Sequence, residues 1–105
     1  MLAVTRCQVP PEQEAAFVAA AREVLGVFVG RPGFGRGRVG RAMDDRTQWV
    51  LSTEWESVGA YRRGLSSYDA KVALAPLMGF ITDEPSAYEV VLSAAASGQT
   101  GRVGG

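Results

Sequence analysis

Two residue types are missing from the chain altogether: its 105 residues include no histidine and no asparagine. Without histidine there is no imidazole to ligate haem, complete a zinc triad or serve as the base of a Ser-His-Asp constellation. The single cysteine, Cys7, excludes a disulfide within the chain and points to a reducing compartment. Lysine is reduced to one residue, Lys71, among 11 cations, a bias that a GC-rich genome explains. Charge of one sign is lacking too: 11 basic residues balance 11 acidic ones, for a net charge of zero. That balance argues against a broad electrostatic footprint for nucleic acid or an anionic membrane. No apolar run approaches the ~20 residues of a membrane span. The first residues, Met1 to Arg6, lack the basic start and long apolar stretch of a signal peptide. The expectation is a cytoplasmic protein.

What is present suffices for one domain, and a domain this size buries only about 60–65% of its unfolded surface. Leu2 to Val9 alternates and reads as a strand, ended by Pro10-Pro11. Pro11, followed by Glu12 and Glu14, suits the first turn of a helix. Phe17, Ala21, Val24, Leu25 and Phe28 then share one helical face, so a helix is predicted from Pro11 to Val29. Arg31-Pro32-Gly33 is a turn. Phe34 to Met43 reads as a glycine-rich strand, Asp44-Asp45-Arg46-Thr47 as a hairpin turn, and Gln48 to Glu56 as the clearest strand. Within that strand Trp49, Leu51, Thr53 and Trp55 share one face. Ser57 is a plausible N-cap for a second helix that carries Tyr61, Leu65 and Tyr68, continues through Val72 and Leu74, and ends at Pro76. After the loop Asp83-Glu84-Pro85, Ala87 to Leu92 reads as the last strand. Residues 93–105, rich in Ala, Ser and Gly, are expected to form a disordered tail behind a single domain of residues 1–92.

The order β-α-β-β-α-β is the split βαβ arrangement, an α+β fold of ferredoxin-like type with a four-stranded antiparallel sheet. Helices cover one sheet face. The other needs a cover, and a homodimer supplies one.

Several constellations have bland readings. Gly35-Arg36-Gly37-Arg38-Val39-Gly40 matches G-x-G-x-x-G, but a hairpin follows it where a dinucleotide loop needs a helix. Its glycines fit a strand with a bulge or a close backbone approach. Phe34 is the one aromatic beside Arg36, Arg38 and Arg41, too little for the stacked platform of an RNA-recognition motif. Cys7 has no histidine to activate it and reads as a small buried strand residue. Glu54 and Glu56 share a strand face, which suits polar contacts at an edge or interface more than acid–base work. Trp55, Tyr61 and Tyr68 are either core anchors or the walls of one cavity between sheet and helices, and the sequence leaves both open.

The stretch from Trp49 to Tyr68, with Glu54-Trp55-Glu56-Ser57 and Tyr61, together with Arg31-Pro32-Gly33-Phe34, resembles the antibiotic biosynthesis monooxygenase family. The resemblance extends over residues 1–92. It implies a dimeric α+β barrel with two sheets packed face to face. Some members are cofactor-free oxygenases of aromatic polyketides such as anthrones, in which the substrate carbanion activates oxygen; others degrade haem. The helix histidine of the haem-degrading branch is replaced here by Gly64 and Leu65, and the pocket asparagine has no equivalent. The resemblance therefore implies cofactor-independent oxygenation of an aromatic polyketide or quinol, with Arg6, Trp55, Tyr61 and Tyr68 as substrate contacts. A non-catalytic ligand-binding dimer of the same fold is the alternative.

Overall fold

The computed structural model describes residues 1–96. Strand β1 (Leu2–Gln8) leads through a 3-10 turn (Pro11–Gln13) into helix α1 (Glu14–Val29). Strands β2 (Phe34–Arg41) and β3 (Gln48–Trp55) form the hairpin, and β4 (Ser86–Tyr88) follows the second helical region. The sheet is four-stranded, in the order β2-β3-β1-β4, with every neighbouring pair antiparallel. This is the α+β, ferredoxin-like architecture expected from the element order. Both βαβ crossovers place their helices on the same face. No helix among the described residues is long and apolar enough to cross a membrane.

The core lies between sheet and helices. Helix α1 buries Phe17, Ala20, Ala21, Val24 and Phe28, and the sheet presents Ala3, Cys7, Leu51, Thr53 and Trp55 to them. The alternation predicted for β3 holds, since Leu51, Thr53 and Trp55 are buried and the residues between them are not. Strand β2 explains the glycine-rich motif. Its register shifts between Phe34 and Arg36, and a side chain at Gly37 would collide with Leu25 of α1. The glycines therefore serve close packing on a strand, as the bland reading has it.

Two predicted elements differ. The second helix is broken into α2 (Val58–Ser66) and α3 (Tyr68–Leu74), followed by a 3-10 turn (Ala75–Leu77). Ser67 breaks it. Its backbone is extended (φ −66°, ψ 150°), its hydroxyl accepts from the Ala70 N–H at 3.2 Å and donates to the Gly64 carbonyl at 3.0 Å. One side chain thus closes one helix and caps the next. Ser57 is the expected cap of α2, accepting from the Ala60 N–H at 3.1 Å. The last strand is shorter than predicted. Tyr88 pairs with Leu2, the first residue of β1, so among the described residues no strand lies opposite residues 89–92. Val90, Val91 and Leu92 are exposed as a result. The expected tail falls mostly outside the described residues.

Candidate functional site

The inward side chains of the sheet change in size along its length. At one end Trp49 packs edge-on to Phe17, with ring centroids 5.2 Å apart, and Phe17 continues to Phe80 at 5.3 Å. At the other end Trp55 meets Phe28 at 5.2 Å, Phe34 at 5.0 Å and Tyr61 at 6.0 Å. Between these two clusters the sheet presents Ala3, Thr5 and Thr53 beside Leu51. Ala3 lies opposite Thr53, and Thr5 opposite Leu51. Small side chains there leave a gap that the helices do not fill.

The gap is a cavity of about 480 Å³, within the size range of small-molecule sites. Phe28 of α1, Tyr61 and Leu65 of α2, Leu74 of α3 and Leu77 form its helical walls. Met78 and the run Ile81 to Pro85 form its mouth. Edge pairing explains why it opens there. Cys7 bridges to Ile81, and Val4 pairs with Ser86. Thr5 and Arg6 on β1 thus face the four residues Thr82 to Pro85. The excess chain bulges outward, and Pro85 has no N–H to return to the ladder. The bulge is pinned at one end, because the Thr82 N–H and hydroxyl both donate to the Arg6 carbonyl, at 3.1 and 3.3 Å.

The interior is chemically sparse. Among the described residues three ionisable groups line the cavity: Tyr61, Asp83 and Glu84. Burial raises the Tyr61 pKa above its ordinary value of 10.0, so the phenol stays protonated at neutral pH and donates rather than abstracts. Asp83 and Glu84 are exposed at the mouth. No arginine or lysine lines the cavity among the described residues.

Of the four residues named from the sequence, Trp55 and Tyr61 meet, whereas Tyr68 and Arg6 lie apart from them. Tyr61 lines the cavity. Trp55 stands behind the wall, 3% exposed, with its six-membered ring against Gly64. Its indole Nε1–H donates to Thr53 Oγ1 at 3.0 Å, so its polar atom is tied to a cavity-lining hydroxyl while its ring backs Phe28 and Tyr61. Tyr68 does not join them. The break at Ser67 re-phases the helix, and Tyr68 sits 79% exposed on the flank between α1 and α3, beside Glu23 and Val72. Arg6 alternates onto the outer sheet face, where its guanidinium reaches Ser86 Oγ at 3.4 Å; only its carbonyl touches the cavity mouth.

Other sequence readings resolve the same way. Cys7 is 1% exposed, and burial pushes its thiol pKa up, which suits a packed residue rather than a nucleophile. Glu54 pairs with Arg38 at 3.0 Å on the outer face, away from the cavity. Thr53 and Thr5 carry no signal as site residues in the sequence, because threonine in a strand is simply a good strand former. Only their small size beside two tryptophans, at matched register, hints at a gap.

The comparisons with known proteins follow this geometry. The model of the family "Antibiotic biosynthesis monooxygenase" matches residues 1–75. Among solved structures, SnoaB, a cofactor-independent oxygenase from Streptomyces nogalater, is 22% identical over 88% of this chain and 93% of its own, with a TM-score of 0.76. A Deinococcus radiodurans protein assigned to the antibiotic biosynthesis monooxygenases is 16% identical over 92% of this chain and 98% of its own, with a TM-score of 0.77. At these identities the structural likeness speaks for the fold alone. No curated protein matches the sequence. The family model covers most of the chain, and the sheet order, the helical layer and the solved relatives agree with it: the chain belongs to the antibiotic biosynthesis monooxygenase family.

Proposed function

We propose that the protein is a cofactor-independent oxygenase of an aromatic polyketide or quinol, and that on an anthrone-type polyketide it converts an activated methylene into a carbonyl. One observation carries this reading: an apolar cavity of about 480 Å³ whose few polar groups are hydroxyls, with carboxylates only at its mouth. Such a lining suits a flat, largely apolar ligand bearing one or two oxygens. The description of SnoaB as a cofactor-independent oxygenase supports the same chemistry.

In this reaction one methylene group and one molecule of dioxygen give one ketone and one molecule of water. The substrate first loses a proton from the activated carbon. Asp83 or Glu84 at the mouth accepts it, because Tyr61 is held protonated. The carbanion reduces dioxygen, a carbon–oxygen bond forms, and the resulting hydroperoxide loses water to leave the ketone. One oxygen atom enters the product and the other leaves as water. Tyr61 orients the substrate as a hydrogen-bond donor, and Phe28, Leu51, Leu65 and Leu74 exclude water from the carbanion.

The protein works in this reading as a cytoplasmic homodimer. The outer sheet face carries Leu2, Val4 and Val50, none of them buried, and the run Val90 to Leu92 that follows β4 is exposed as well. A second copy covering this face removes that apolar surface from water. The lone unpaired thiol of Cys7 fits a reducing compartment.

The test is oxygen uptake with anthrones and hydroquinones, without added metal or flavin. Stoichiometric oxygen consumption with quinone formation is expected. Tight binding without turnover across the screen would instead leave a ligand-binding protein of the same fold. Sedimentation should give twice the chain mass; a stable monomer at micromolar concentration overturns the dimer.

A further inference from the structure

The Trp55–Thr53 contact has a chemical consequence for the cavity. Thr53 lies on the cavity floor and is 4% exposed. Its hydroxyl has one proton and can accept from two sides. The indole of Trp55 occupies it as an acceptor at 3.0 Å. What remains is the proton, and no acceptor among the described residues is paired with it. Thr53 sits on the central part of the sheet, opposite Ala3 on one side and Gly37 on the other, and its hydroxyl donates to no backbone carbonyl of the described residues. A buried donor without an acceptor is costly in an empty site and rewarding in a filled one.

We infer that Thr53 is the specificity-determining donor of the cavity, reading a carbonyl or phenolate oxygen on the ligand, and that Trp55 is its positioning residue. The inference rests on the proposed aromatic ligand and names which of the ligand's atoms the site recognises. Three features fix the roles. Trp55 is itself held, with its ring wedged against Gly64, where an added Cβ would lie 2.5 Å from Cη2. The indole therefore cannot swing to meet a ligand directly. Held there, it locks the Thr53 oxygen as an acceptor and leaves the proton for the ligand. Finally, no cation lines the cavity among the described residues. The oxygen is read by a neutral donor, which suits a carbonyl or enolate conjugated to the ring system rather than a carboxylate substituent, for which arginine is the usual partner.

The probe pair is anthrone, which bears the carbonyl, and dihydroanthracene, the same tricycle without it, titrated calorimetrically under argon so that no oxidation intervenes. The full chain is used throughout. Wild type should prefer anthrone by about tenfold, the worth of one well-placed hydrogen bond in a dry site. Thr53→Val should lower anthrone affinity by about tenfold and leave dihydroanthracene within about twofold, so the preference collapses. Thr53→Ser keeps the hydroxyl and should keep the preference, which separates lost recognition from lost folding. Trp55→Phe should reduce the preference by about threefold in the wild-type background and not at all in the Thr53→Val background, because its effect on oxygen recognition runs through that hydroxyl. Equal binding of both compounds to wild type, or a preference that survives Thr53→Val, overturns this inference and leaves the cavity reading standing. Binding of neither compound overturns both.

Discussion

Replacing Gly64 with alanine should destabilise the protein, although alanine is the better helix former. Gly64 lies inside α2, facing the indole of Trp55. A Cβ added there would sit 2.5 Å from Cη2 and 2.8 Å from Cζ3 of that ring. Trp55 has little freedom to retreat, being packed edge-on against Phe28, Phe34 and Tyr61. Overpacking of this kind costs about 1–3 kcal/mol. If the indole tilts to relieve it, the bond to Thr53 weakens, at about another 1 kcal/mol. Against this, Gly→Ala in a helix interior gains about 1 kcal/mol. The expected net loss is about 1–2 kcal/mol, read as a lower midpoint in urea unfolding followed by circular dichroism at fixed protein concentration. The decisive comparison is the same change in a Trp55→Phe background. The clashing atoms belong to the six-membered ring of indole, and phenylalanine does not extend that far. There Gly64→Ala should turn neutral or stabilising, by up to about 1 kcal/mol. An equal cost in both backgrounds would refute the packing account.

Trp55→Phe alone should cost about 1–2 kcal/mol through lost ring area and the lost indole donor, measured by the same urea titration; binding or turnover should fall by a larger factor than stability explains. Ser67→Ala removes the hydroxyl that ends α2 and caps α3, and Ser57→Ala removes the cap of α2; each should cost about 1 kcal/mol, and an unchanged midpoint for Ser67→Ala would show that the break has another cause. Alkaline pH should destabilise the protein through Cys7 and Tyr61. Burial raises both pKa values above their ordinary 9.0 and 10.0, so the folded state holds these protons more tightly than the unfolded one. Their contribution is complete below the unfolded pKa and fades as pH rises through the folded one. Melting temperatures of Cys7→Ala and Tyr61→Phe between pH 8 and 11 should therefore fall less steeply than wild type, relative to each variant's value at pH 7. Removing the residues from Ala94 onward should leave melting and assembly unchanged; a large loss would show that this segment docks.

Spacing along the chain dictates the element order and with it the fold. Phe17, Ala21, Val24 and Phe28 at helical spacing, and Leu51, Thr53 and Trp55 at a period of two, leave few ways to bury both faces except one helical layer on one sheet. Composition also excludes whole classes of chemistry, because a chain without histidine cannot build an imidazole-based site. Both are local properties, which short-range physics decides.

The site was less legible, because a cavity depends on the sizes of residues that meet only after folding. Ala3, Thr5 and Thr53 are ordinary strand residues until register sets them side by side between two tryptophans. The helix break shows how two local hydrogen bonds of one side chain redirect a distant inference. Tyr61 and Tyr68 lie two turns apart in an unbroken helix, but the Ser67 hydroxyl re-phases the chain and carries Tyr68 to the surface. The sequence leaves Trp55 open between core anchor and cavity wall, and its place behind the wall depends on Gly64, a contact across two elements that no local pattern encodes. The mouth likewise arises from pairing Cys7 with Ile81 and Val4 with Ser86, which leaves more chain on the edge than β1 can match. Local spacing sets which faces are apolar; only packing and register decide where the apolar layer fails to close, and there the cavity opens.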